Sequence, residues 1–157
     1  SLAIAKAETT ESLTDKLAQL GGQLIVQTIK DIVAGKIEPI EQDPSLVTYV
    51  KKLTKADGLI DWTREAVYLE RFVRAMSPWP SAWTWMSGRQ LKILAISEII
   101  ELDTYKPGKV FVYNNQLAIQ TGKGAVIVSR LQAEGKRPMS SQEFVNGYSE
   151  IIGVILA

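Results

Sequence analysis

Between Ala82 and Gln132 the hydrophobic residues recur with a period of two, whereas before that stretch the period is three to four. A period of two marks a strand with one buried face. The runs are "AWTWM", "RQLKILAISEII", "KVFVY", "QLAIQT" and "AVIVSRLQ". Between them stand Ser87-Gly88, Lys106-Pro107-Gly108, Asn114-Asn115 and Gly122-Lys123-Gly124, residue types that reverse the chain. Five strands with short turns in roughly 50 residues favour a small closed or partly closed β-barrel over an open sheet. Trp83 and Trp85 are two apart, so on a strand they share a face. A small barrel must be filled, which predicts both rings inside, at a corner set by Pro78 and Pro80. The competing reading leaves them outside as stacking platforms.

Helical patterns flank this region. Leu13, Leu17, Leu20, Leu24, Ile25 and Ile32 fall at helical spacing over residues 10–34. Gly21-Gly22 is expected to divide or kink that helix, and Gly35 to stop it. One apolar stripe needs a covering surface, and residues 1–50 offer no sheet to supply it. A second, short helix is expected over residues 63–76, with Ala66, Leu69, Phe72, Val73 and Met76 on one face and Arg64, Arg71 and Arg74 mostly on the other. A third begins after Pro138, where Ser140 and Glu143 have capping-box spacing. Lys36 to Trp62 reads as an extended connector, placing a domain boundary near residues 40–60. The apolar tail "YSEIIGVILA" reads as an extra strand or a segment docked on the core.

The chain contains neither Cys nor His. This removes disulfides, thiolate metal sites, the commonest general base and the commonest metal ligand. No acidic cluster has the form of a hard-cation loop, so no metal site is expected. No apolar run approaches the ~20 residues of a membrane span, and the first residues lack a signal-peptide pattern. A soluble intracellular protein without a membrane partner is the expectation. The net charge of +1 divides into −3 over residues 1–50 (four Lys, seven Asp/Glu) and +4 over residues 51–157 (14 Lys/Arg, 10 Asp/Glu). The basic second part is compatible with an anionic partner, and equally with an ordinary mixed surface.

Four motifs invite functional readings. "TGKGA" (Thr121–Ala125) lacks the flanking residues of a phosphate loop and lies between strands, so a hairpin turn is the better reading. Asp57, Asp61 and Glu65 are spaced for acid–base pairing, but they bracket a helix start, where acidic residues cap. Lys51, Lys52 and Lys55 read either as a solvated linker or as phosphate contacts. Lys92, Lys123, Arg130, Lys136 and Arg137 lie on strands and turns of the expected barrel. There, several on one face would suit a nucleic-acid backbone, and a scattered set would only solubilise.

The order of these pieces is specific. "YVKKLTKADGLIDWTREAVYLERFVRAMSPWPSAWTWMSGRQLKI" resembles the linker and the opening of the C-terminal domain of the methionyl-tRNA formyltransferase family. Pro107-Gly108, "TGKGA" and "LQAEGKRPMSSQEFVNG" continue the likeness, and "ETTESLTDKLAQLGGQLIVQTIKDIVAGK" resembles the helices that close the family's N-terminal domain. The resemblance covers about residues 8–147.

It implies an α+β arrangement, mainly β with flanking helices. Residues 1–40 would be helices left over from a truncated Rossmann-like formyltransferase domain, residues 41–60 an interdomain linker, and residues 61–157 a five-stranded OB-like barrel domain. It also implies a cytoplasmic parent enzyme that moves a formyl group from formyl-tetrahydrofolate to the amine of initiator methionyl-tRNA. The family's catalytic Asn, His and Asp and its Ser-Leu-Leu-Pro folate loop lie in the N-terminal formyltransferase domain, the implied partner of this piece. This sequence has no His and no such loop, so it implies no catalytic residue and no cofactor site here. The expected role is tRNA-backbone positioning by Lys51, Lys52, Lys55, Lys92, Lys123, Arg130, Lys136 and Arg137. Two alternatives stay open: a related folate-dependent formyltransferase or hydrolase, such as one acting on a nucleotide amino sugar, and a purely structural packing module.

Overall fold

The computed structural model describes residues 1–157, which divide into two compact units, Ser1–Leu53 and Thr54–Ala157. The first is built on one helix, α1 (Thr10–Val33). Thr9 starts it with a reciprocal cap: its hydroxyl accepts from Ser12 N–H while the Ser12 hydroxyl accepts from Thr9 N–H. Gly35 ends it at φ 66°, with Gly35 N–H donating to Ile32 O and Lys36 N–H to Asp31 O, a Schellman stop. Gly21-Gly22 does not divide the helix, for α1 runs through both glycines. A glycine pair lowers helix stability by about 1 kcal/mol per residue relative to alanine. It supplies no competing cap, so the ladder continues to the real one. No side chain of α1 is buried, and Leu17, Leu24, Ile25, Ile29 and Ile32 stand exposed. Residues 34–53 carry one 3-10 turn, Pro44–Leu46, and are otherwise irregular.

The second unit is α+β. It contains α2 (Ala66–Ala75), α3 (Ser141–Gly147) and six strands: β1 (Ala82–Met86), β2 (Arg89–Ile100), β3 (Val110–Tyr113), β4 (Gln116–Gln120), β5 (Ala125–Ala133) and β6 (Met139–Ser140). All pairings are antiparallel, in the order β1-β2-β5-β4-β3, with β6 on β5. The turns take the backbone their residues favour: Ser87-Gly88 and Asn114-Asn115 both have positive φ at both positions, as two-residue hairpins need. α2 lays Ala66, Leu69 and Val73 on the sheet, where they meet Trp62, Leu91, Ile93, Val126, Val128 and Phe144 in one core. Ser140 caps α3 together with Glu143, as their spacing predicts.

Two expectations are corrected here. Of the closed and partly closed barrels expected, the closed form is excluded, because β1 and β3 do not pair, and the sheet has six strands rather than five. These edge strands are short, and the C-terminal residues lie between them. Val110 N–H donates to Val154 O and Leu156 N–H to Gly108 O on the β3 side, while Trp85 and Ala157 exchange backbone bonds on the β1 side. The tail is thus a docked segment, with Ile151 and Leu156 buried.

The second correction concerns the tryptophans. Trp83 and Trp85 do share a face, but it is the outer one: Trp85 is 44% exposed and Trp83 half-buried, whereas Ala82, Thr84 and Met86 point inward. The buried indole is Trp62, whose Nε1–H donates to Thr84 Oγ1 at 3.0 Å. That bond and the pairing of Ala82 and Thr84 with the buried Ile93 and Leu91 fix the phase of β1. A one-residue slip would exchange the two faces.

Candidate nucleic-acid interface

The outer face of β1, β2 and β5 is a continuous polar and aromatic surface. Across the three strands, Trp83 stands opposite Lys92, and Lys92 opposite Gln132. One step along, Trp85 stands opposite Gln90. Arg130 lies two residues from Gln132 on β5, opposite Ala95, and is exposed. The registers shift at three places between Ile93 and Glu98, so β2 carries bulges that bend it here. Lys92 and Arg130 line one open groove of about 360 Å³, whose far wall is the Ser77–Ala82 corner. That corner holds two cis peptides, at Pro78 and Pro80, and Ser81 closes it by donating its hydroxyl to Pro78 O at 2.8 Å. Neither Lys92 nor Arg130 forms an ion pair within the protein.

The remaining cations fall in different places. Arg137 lines the recess next to Arg130 and reaches Glu143 at 3.2 Å. Lys136 is exposed on the turn after β5, and its carbonyl accepts from Gln132 Nε2–H. Lys123 lies apart, in a recess lined by Glu65, Glu101 and Asp103. Lys55 is exposed on the 3-10 turn Lys55–Gly58. Its carbonyl accepts Trp83 Nε1–H at 2.8 Å, which ties that turn to β1. Lys51 and Lys52 are exposed residues near the end of the first unit. The structure thus gathers Lys92, Arg130 and Arg137, with Lys55 joined to the same face through Trp83. Trp83 and Trp85 belong to that face, where the competing reading of the sequence placed them as stacking platforms, and Gln132 joins them without having been a candidate. Only the phase of β1 against β2 could have settled that placement.

The other motifs have structural roles. In "TGKGA" the backbone donors are already used: Gly122 N–H by Arg64 O and Gly124 N–H by the Asp103 carboxylate at 2.6 Å. The segment is the turn between β4 and β5, with no free cradle for phosphate. Asp57 caps its own turn by accepting from Thr54 N–H and Oγ1–H. Asp61 accepts from the Thr63 hydroxyl and N–H, and these two bonds hold its carboxyl below the usual range. No group of three or more carboxylates is placed to hold a metal ion, and no helix is long and apolar enough to cross a membrane.

Three comparisons bear on this geometry. The chain is 41% identical over 156 residues to a methionyl-tRNA formyltransferase of Lachnospira eligens, covering 95% of this chain and 49% of that protein. It therefore spans about half the length of that curated relative. Among solved structures, a variant of HypX from Aquifex aeolicus superposes with a TM-score of 0.68 at 16% identity, over 94% of this chain and 28% of that one. HypX in complex with tetrahydrofolic acid gives a TM-score of 0.63 at 18% identity, over 83% of this chain and 23% of that one. At such identities the likeness is one of fold. Residues 52–149 match the family described as "Formyl transferase, C-terminal domain", and they include every strand and all but the first helix, so the chain belongs to that family.

Proposed function

We propose that this chain is the C-terminal portion of a methionyl-tRNA formyltransferase and that it positions tRNA rather than performing the transfer. The observation that carries this reading is the 41% identity to such an enzyme over 95% of the chain. The parent would move a formyl group from formyl-tetrahydrofolate to the amine of initiator methionyl-tRNA in the cytoplasm. That chemistry needs a base for the amine proton and donors for a tetrahedral oxyanion. This chain has no His and no Ser-Leu-Leu-Pro folate loop. Chemistry and folate are therefore assigned to the rest of the parent. The uncovered stripe of α1 would pack on that remainder, and residues 54–157 would act as an OB-like domain opened at the β1 and β3 edges.

Positioning is itself a contribution to rate, since a bound acceptor reacts from a fixed geometry. Backbone contacts set register without reading sequence. We assign them to Lys51, Lys52 and Lys55 and to Lys92, Arg130, Lys136 and Arg137, with Lys123 as an outlying contact. The test is a salt-dependent titration of the chain with initiator tRNA, beside a Lys51/Lys52/Lys55→Ala variant. Phosphate binding predicts affinity that falls steeply with salt, and a slope shallower by about 0.7–0.9 per lost contact in the variant. No binding at low salt would remove the positioning role and leave the family membership intact.

A further inference from the structure

We propose that the outer face of β1, β2 and β5 binds an unpaired stretch of RNA, with Trp85 as the base-stacking platform and Lys92 and Arg130 as its phosphate contacts. This rests on the reading of the chain as a tRNA-positioning domain, and it names the part of the RNA that this face takes.

A large indole on the solvent side of a strand forfeits the burial that usually places tryptophan. Trp85 is 44% exposed although the positions on either side of it on the same strand, Thr84 and Met86, are buried. It is also held in place. Its ring meets Trp83 edge to face at 5.3 Å and 87°, and Trp83 is fixed by its bond to the Lys55 carbonyl. Rings ordered before binding lose little freedom on contact with a ligand. Bases of any identity stack on such a ring, provided they are unpaired.

The charges around the pair fit a single strand. Lys92 stands opposite Trp83, and Arg130 lies on the next strand, so two inter-strand spacings of about 4.8 Å separate the indole row from the guanidinium strand. Both cations lack an internal partner. Gln132 adjoins both cations, opposite Lys92 and two residues from Arg130, and Gln90 lies opposite Trp85, each a neutral hydrogen-bonding group. One carboxylate, Glu134, accepts from Gln90 N–H at the Trp85 end of the face, and another, Glu143, shares the recess beside Arg130, where it is paired with Arg137. That end therefore suits a base, and the Lys92–Arg130 end suits phosphates. A duplex keeps its bases stacked on one another and cannot use the ring.

The test uses the 157-residue chain and a fluorescein-labelled octamer of uridylate, read by anisotropy, with a duplex RNA of equal length as control. Trp85→Ala should weaken octamer binding about tenfold or more with an unchanged salt slope, and Trp85→Phe should recover most of it. Lys92→Ala/Arg130→Ala should lower the salt slope by about 1.4. The thermal midpoint of each variant shows that the fold is kept. Octamer binding that ignores Trp85, or that is no stronger than duplex binding, overturns the platform. If initiator tRNA still binds through Lys51, Lys52 and Lys55 in that case, the positioning role survives. If the octamer binds through Trp85 while tRNA does not bind, the platform is upheld and the tRNA reading fails.

Discussion

Replacing Thr84 by valine tests the phase of β1 directly. Thr84 is 0% exposed and Trp62 5% exposed, and the Thr84 hydroxyl connects them: it accepts from Trp62 Nε1–H at 3.0 Å and donates to Ala157 O at 2.9 Å. Valine keeps the shape and the strand preference but removes the oxygen. Ala157 O keeps its bond from Trp85 N–H at 2.7 Å, so the acceptor stays satisfied. The indole N–H does not, because Thr84 Oγ1 is its one hydrogen-bond partner and Trp62 is buried. A buried donor left without a partner costs about 1–3 kcal/mol. In a unit of about 100 residues a 2 kcal/mol loss lowers the thermal midpoint by about 10 °C. Differential scanning calorimetry measures this, and a second measurement in a Trp62→Phe background isolates the cause. With the donor gone, Thr84→Val should cost clearly less, leaving a coupling of about 1–2 kcal/mol. An equal cost in both backgrounds, or a shift under about 2 °C in the first, would refute the claim that this bond sets which face of β1 is buried.

Three further outcomes follow from particular contacts. A Cβ added at Gly122 would lie 1.8 Å from Thr63 O, which is backbone and cannot swing aside; Gly122→Ala should destabilise by about 3 kcal/mol, seen as a lower urea midpoint. At Gly22 nothing lies within 4 Å of an added Cβ, so Gly22→Ala should instead raise α1 helicity and stability by about 1 kcal/mol, read by far-ultraviolet circular dichroism. Glu143 is held below its ordinary value of 4.5, first by Ser140 N–H and then by the Ser140 hydroxyl. A carboxyl lowered in the folded state stabilises fully above its unfolded value, and that contribution is lost as pH falls through the folded value. Glu143→Gln should therefore flatten the decline of the thermal midpoint between about pH 5 and pH 2, and superimposable acid limbs would contradict the assignment.

Five of the six strands, the hairpin turns and the three helices were legible because their signals are local, whereas the two-residue β6 carries no such signal. Asn114-Asn115 and Ser87-Gly88 specify turns wherever they stand between alternating runs, and Gly35 and Ser140 mark helix ends by the lack of a side chain or by a capping hydroxyl. What was not legible is non-local. Barrel closure depends on whether β1 and β3 meet, which no periodicity within either strand records. In "AWTWM" the alternation gives two sets, Ala82, Thr84 and Met86 against Trp83 and Trp85, and hydrophobicity alone prefers the wrong one. The choice is made by Trp62, 22 residues before Thr84 along the chain. The same holds for the candidate interface. Lys92, Arg130 and Arg137 come together through the register of β2 on β5 and its bulges, whereas Lys123, from the same list of candidates, falls into an acidic recess.

The phase of one five-residue strand therefore decides two separate properties. Sending Thr84 inward gives Trp62 its acceptor and completes the core, and the same alternation forces Trp83 and Trp85 outward beside Lys92. The link extends to the turn that carries Lys55. A Cβ at Gly58 would lie 2.2 Å from Ser81 O and 3.0 Å from Trp83 Cδ1, so glycine is what lets that turn press against β1. Only at that distance does the Lys55 carbonyl reach Trp83 Nε1. A cation at position 55 and the rings of β1 are thus parts of one assembled surface, held by a close backbone approach instead of by contacts between the functional groups themselves. Such a surface is positioned before any ligand arrives. If the chain positions tRNA as proposed, that preorganisation is the physical means by which it would do so.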